Sequence, residues 1–185
     1  NGNLIFSHAD TAMNGNRLPV SVTHYYNSCD SDKDEFGMGY GWRTSLHQTL
    51  HKVLYNGEVE FVYTDGDGTE HFFKKNKNDQ KKYSDQSGLS LTLEVGDENI
   101  TITDKGDNVM TFPMVSDTPT EDAPETGKAL IQKIQDAVGN EVTVTALADS
   151  PLKIASVTDG AGRVTTFHYT DGRCDRIQTP WQDEN

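Results

Sequence analysis

The stretch Val157-Thr158-Asp159-Gly160-Ala161-Gly162-Arg163-Val164-Thr165-Thr166-Phe167-His168-Tyr169-Thr170-Asp171-Gly172-Arg173 constrains this chain more than any other. Asp159-Gly160 and Asp171-Gly172 read as turn dipeptides, because Gly reaches φ > 0 freely and Asp hydrogen-bonds its own backbone. Between them Thr165, Phe167 and Tyr169 alternate with Val164, Thr166 and His168, the two-residue period of a strand. The layout recurs upstream in Ile134-Gln135-Asp136-Ala137-Val138-Gly139-Asn140-Glu141-Val142-Thr143-Val144, where Asp136 to Asp159 and Gly139 to Gly162 are both 23 positions. Ile177, 20 positions after Val157, opens a third copy. Units of about 20 residues that cannot bury their own apolar face must stack on neighbours. The chain therefore reads as all-β, with consecutive antiparallel hairpins building one curved repeat sheet.

An alignment offset by 40 positions sets Asp67-Gly68-Thr69-Glu70-His71-Phe72 beside Asp107-Asn108-Val109-Met110-Thr111-Phe112 and extends degenerate repeats towards the N-terminus. Asn56-Gly57 and Asp65-Gly66-Asp67-Gly68 separate alternating runs, the strongest short-range hairpin signal. Thr44 to Val53 reads as one strand. Val20, Val22, His24 and Tyr26 alternate with Ser21, Thr23 and Tyr25 after a turn at Met13-Asn14-Gly15-Asn16. Leu89, Leu91, Leu93 and Val95, then Ile100 and Ile102, supply further strand positions. Pro113, Pro119 and Pro124 among Asp, Glu, Thr and Ser mark 113–128 as a loop.

The hydrophobic-x-Asp-x-x-Gly-Arg or Gly-Asn pattern, the Thr/aromatic alternation and Tyr169-Thr170-Asp171-Gly172-Arg173 resemble the tyrosine-aspartate (YD) repeats of Rhs proteins. Gly2-Asn3-Leu4, the strand Leu18-Pro19-Val20-Ser21-Val22-Thr23-His24-Tyr25-Tyr26-Asn27-Ser28 and the signature Phe36-Gly37-Met38-Gly39-Tyr40-Gly41-Trp42 resemble the domain that precedes those repeats. The resemblance weakens between 113 and 130. It divides the chain into an N-terminal β domain at 1–75, degenerate repeat strands at 76–128 and YD repeats at 129–185. It implies a partial β-shell. In bacterial Rhs and Tc-type toxins such a shell encloses a C-terminal toxin domain, and in animal teneurins a similar one supports adhesion. The expectation is a non-catalytic piece of a longer secreted or cell-surface bacterial protein, whose first partner is the rest of the same polypeptide. The other expectation is a module that binds cell-wall glycans.

Composition narrows the classes. A net charge of −13 with a pI near 4.7 disfavours nucleic acid and anionic membrane surfaces, which need basic contacts. No apolar run is long enough to span a bilayer. The basic cluster Lys74, Lys75, Lys77, Lys81 and Lys82 reads as a solvated loop. Cys29 and Cys174 read as unpaired thiols, the alternative being one long-range disulfide.

Candidate site residues are few. Asp30, Asp32 and Asp34 alternate as at the start of an EF-hand loop, but Glu35 stands where that loop needs Gly and Gly41 where it needs Glu. The stretch is thus a solvated acidic loop first and a calcium site second, and calcium is the one cofactor the chain suggests. Tyr40 and Trp42, beside three glycines, are core anchors at a tight corner first and a sugar-stacking platform second, and Tyr25 joins them as a candidate ligand-binding aromatic. His47 and His51 have zincin spacing, yet Gln48 replaces the required glutamate, and on a strand both become polar surface. No nucleophile elbow, phosphate loop or cysteine-pair metal motif is present in the sequence, so no enzyme is expected.

Overall fold

A computed structural model describes residues 3–12 and 17–180. The turn expected at 13–16 and the third repeat beyond 180 lie outside the described residues. In chain order the strands are β1 (Ile5–Ala12), β2 (Ser21–Asn27), β3 (Trp42–Thr44), β4 (Thr49–Tyr55), β5 (Glu58–Thr64), β6 (Glu70–Lys75), β7 (Lys82–Asp85) and β8 (Thr92–Val95). There follow β9 (Asn99–Thr103), β10 (Val109–Pro113), β11 (Ala129–Leu130), β12 (Lys133–Gln135), β13 (Glu141–Leu147), β14 (Ser150–Thr158), β15 (Val164–Thr170) and β16 (Arg173–Gln178). The fold is all-β and antiparallel, as the alternation predicts. It forms two compact units, one of Asn1–His47, Gly66–Gly68 and Asn140–Asn185, the other of Gln48–Asp65 and Thr69–Gly139.

In the first unit, β1, β2 and β3 form a three-stranded sheet in that order. Val20 and Val22 are buried, as their alternation requires. The same unit holds β13 to β16, each antiparallel to the next, with Val142, Val144, Ile154, Val157 and Phe167 buried.

In the second unit, β4 to β10 pair in sequence order. The proline-bearing segment after β10 is an edge strap. Leu54 N–H donates to Pro124 O at 2.8 Å and Thr126 N–H to Lys52 O at 3.0 Å. β11 then pairs with β4, and β12 pairs with β10. The single stretch 129–135 is thus hydrogen-bonded to both ends of the β4–β10 series, which satisfies edges that would otherwise stay open. Phe61, Phe73, Phe112, Leu50, Leu93, Ile100, Ile102 and Ile131 are fully buried, each worth about 1.5–3 kcal/mol of burial.

One turn recurs at Asp65, Asp85, Asp104, Asp136 and Asp159. The aspartate accepts from the backbone N–H two or four residues on: Thr69 at 3.0 Å, Ser87 and Leu89 at 2.7 Å, Gly106 at 2.7 and Asn108 at 3.0 Å, Val138 at 3.0 Å, Ala161 and Arg163 at 2.9 Å. Three residues after each aspartate the backbone is left-handed, at Gly68, Gly88, Asp107, Gly139 and Gly162. Asp159 is the most enclosed of these, with Arg163 Nε and Nη2 both 2.6 Å from Oδ2. Burial alone raises its carboxyl, but the Arg163 N–H, the Arg163 side chain and the Ala161 N–H hold it below the usual carboxylate range.

Four expectations change. The hairpin alignment has an offset of 39, not 40, because Asp65 is the equivalent of Asp104. Phe73, at 0% exposure, then matches Phe112, whereas Phe72 is 40% exposed; a one-residue slip moves a side chain to the other face. The left-handed residue of the Asp159 turn is Gly162, at φ +79°, and Gly160 is there because a Cβ would fall 2.2 Å from Arg17 O. The expected strand 44–53 breaks after β3, where His47 N–H donates to Thr44 O at 2.9 Å. His47 and His51 are accordingly buried, not polar surface, at 0% and 4% exposure.

These turns predict a graded series in urea unfolding. Gly162→Ala meets no atom within 4 Å and should cost only its backbone strain, about 1–2 kcal/mol. Gly160→Ala should cost more, because it collides with backbone. Asp159→Ala, which leaves Arg163 without its carboxylate, should cost about 3–5 kcal/mol. Equal midpoints for the three variants would contradict the assignment.

Candidate functional site

The glycine-aromatic loop is shaped by close backbone approach. Gly37 has φ +69°, and a Cβ there would lie 2.7 Å from Gly172 O at the tip of the β15–β16 hairpin. Cys174 N–H donates to Gly37 O at 2.7 Å, and Lys153 Nζ donates to Gly172 O at 2.7 Å. Asp171 and Gly172, at φ +50° and +79°, make the tight turn. Arg173 reaches back to the loop, its Nε 3.4 Å from Asp34 Oδ2 and its guanidinium 5.5 Å from the Tyr40 ring centre. Tyr169 OH donates to Ile154 O at 2.9 Å, and burial raises the pKa of that hydroxyl. Tyr169 and Arg173 of the Tyr-x-Asp-Gly-Arg motif thus serve the hairpin and its docked loop through their side chains, and Asp171 and Gly172 through their backbone.

Trp42 faces Tyr26 across β2–β3, and Tyr26 faces Phe6 across β1–β2. The Trp42 ring lies 5.2 Å from Tyr26, 6.1 Å from Phe6 and 6.3 Å from His24. Phe6 remains 53% exposed. Asp10 contacts the ring nitrogens of both His8, at 3.1 Å, and His24. Of the expected platform, only Trp42 sits here. Tyr25 neighbours Tyr26 on the strand and so projects from the opposite face, and Tyr40 stacks with Arg173. Phe6, His24 and Tyr26 were not legible as Trp42 neighbours, since only the strand register places them together.

The acidic loop does not converge. Asp30 Oδ2 is 3.8 Å from Arg43, Asp34 Oδ1 accepts from Gly39 N–H at 3.0 Å, and Asp32 is exposed. Among the described residues no group of three or more His, Cys, Asp or Glu is disposed to hold a metal ion. Cys29 and Cys174 are free thiols, the first exposed, and burial raises the second.

Behind the loop lies His47. Thr44 N–H donates to its Nδ1 at 3.0 Å, so the neutral ring carries its proton on Nε2, which is buried without a partner. The Phe36 ring lies 4.6 Å away and also carries the Arg43 guanidinium, 5.1 Å above it. Burial first, then Arg43, then His24 push the His47 pKa down from 6.5 to about 3.

Residues 1–73 match a family model described as Domain of unknown function (DUF6531). The matched stretch contains the whole glycine-aromatic loop, the aromatic face and the acidic loop. A comparison with curated proteins returned no match.

His47 sets an acid dependence. It stays neutral in the fold while the unfolded chain takes up a proton below pH 6.5, so its contribution is complete above 6.5 and is lost as pH falls towards 3. The slope should reach about 1.4 kcal/mol per pH unit. His47→Asn keeps an acceptor for Thr44 N–H and does not titrate. It should be less stable than wild type at pH 7 and converge with it by pH 4 in urea unfolding; parallel pH profiles would refute this origin.

Proposed function

We propose that the chain is a non-catalytic structural segment of a secreted or surface bacterial Rhs/YD-repeat protein, part of a β-shell that encloses or presents a C-terminal effector domain. The observation that carries this reading is the docking of the Phe36–Trp42 loop on the Asp171-Gly172 turn. The two motifs that resemble Rhs proteins, far apart in sequence, are fitted to each other: Cys174 N–H donates to Gly37 O at 2.7 Å, and a Cβ on Gly37 would fall 2.7 Å from Gly172 O. A scaffold needs such mutual locking. The recurrent aspartates support it too, since their carboxylates bind turn amides and leave little for chemistry.

A glycan-binding module is the second reading, favoured by the half-exposed face of Phe6, Tyr26 and Trp42. Aromatic faces pack on the apolar faces of sugars, and Asp10 with its two histidines supplies polar contacts nearby.

Co-sedimentation of the folded chain with bacterial cell walls, with and without soluble glycan competitors, separates the two. The scaffold reading expects no saturable binding. Saturable, competed binding that Trp42→Ala abolishes would replace it with the module reading.

A further inference from the structure

We propose that the outer edge of β1 pairs with the same edge of a second copy of this chain, antiparallel and centred on Phe6. The strands that end a sheet are β1, β3, β11 and β16. Open edges recruit other strands, and proteins blunt them by shortening or charging them. β3 has three residues and β11 two, while β16 exposes Arg173, Asp175 and Arg176 among its six. β1 has eight residues, exposed at every position but Thr11. It carries no charge from Asn3 to Ser7. Leu4, Ile5 and Phe6 are 64%, 61% and 53% exposed. With a net charge of −13 on each copy, this stretch lets two chains approach without apposing like charges.

The backbone direction of β1 is set by β2. Leu4 O accepts from Ser28 N–H at 3.0 Å. Asn27, opposite Ile5, sends its N–H the other way, to Gly41 O at 2.9 Å. Leu4, Phe6 and His8 therefore turn their backbone groups towards β2. Ile5 and Ser7 turn theirs outwards, where they are unpaired among the described residues. The register then shifts between Ala9 and Thr11, and a bulge of this kind ends a pairable edge. Two such edges fit with Ile5 opposite the partner's Ser7 and Ser7 opposite the partner's Ile5. That arrangement makes four backbone hydrogen bonds about a two-fold axis.

Side chains select this register over its neighbours. Phe6 falls opposite the partner's Phe6 in the closer, non-hydrogen-bonded type of pair, where aromatic cross-strand contacts stabilise a sheet. Phe6 is the exposed end of the row Phe6–Tyr26–Trp42, so the two rows join and each covers the other's end. His8 falls opposite the partner's Leu4. An axis at Ser7 would set Phe6 against His8 and Leu4 against Asp10, and one at Ile5 would set Phe6 against Leu4 instead of a second ring. The pairing rests on neither functional reading above, since a scaffold segment and a glycan-binding module can each associate in this way.

Sedimentation velocity of the folded chain over a concentration series tests the edge. The contact is small, so the dimer should dissociate on dilution with a dissociation constant of about 10 to 300 µM. Ser7→Pro removes only an outward donor, which an edge strand tolerates, and Ile5→Lys charges the edge. Each should keep the β-sheet circular dichroism and weaken dimerisation about tenfold or more. In a Cys29→Ser background, Phe6→Cys should form a disulfide-linked dimer in oxidised glutathione, because the Cα atoms of such a pair stand about 4.5 Å apart. Ile5→Cys, set diagonally from its counterpart, should cross-link more slowly. A monomer at every concentration up to about 500 µM would overturn the proposal. So would a dimer unchanged in both Ser7→Pro and Ile5→Lys, or Phe6→Cys cross-linking no faster than Ile5→Cys.

Discussion

The bond from an aspartate carboxylate to amides two and four residues ahead underlies both units. A hairpin has to reverse direction, and in doing so it leaves backbone donors that the ladder cannot reach. A carboxylate at the strand's end, on its last residue at Asp85 and on the residue just past it at the other four turns, takes up those donors locally. The left-handed residue three positions on completes the reversal. Because each turn is solved within five residues, the strands on either side are free to vary. This explains how a chain with modest hydrophobic content holds so many short strands: turn chemistry repeats while the strand faces drift.

The repeat was legible because Asp and Gly are scarce alternatives for this geometry, and Asp136/Gly139 and Asp159/Gly162 stood out. The Asp85 and Asp104 turns were harder to see. Ser87 and Leu89 give no turn signature, and Asp107 replaces the expected glycine. The slip from 39 to 40 at Asp67 arose from matching Asp-Gly with Asp-Asn as dipeptides, when the equivalent positions are the capping aspartates Asp65 and Asp104. Burial of Phe73, not Phe72, resolves the register.

The candidate site was less legible than the fold. Glycines at 37, 39 and 41 advertised a corner, but nothing in the local sequence says that Gly37 is small because Gly172, 135 positions away, lies against it. The same holds for Trp42, whose neighbours come from two other strands. The acidic run looked like a metal loop because spacing was visible while Arg43 and Arg173, the cations that face Asp30 and Asp34, were not evident as partners.

The order of assembly follows from how the first unit is composed. Its main parts come from 1–47 and from 140–185, with Gly66–Gly68 and the whole of the second unit between them in sequence. The second unit has a similar dependence, since β4 finds its outer neighbour only when β11 exists. During vectorial synthesis the early strands therefore emerge long before their partners. Contacts of such high sequence separation are slow to form, and edges left waiting are exposed to wrong pairing. Within this chain the block 1–47 is made well before the strands of 140–185 that complete its unit, so it is the stretch most in need of protection while synthesis proceeds.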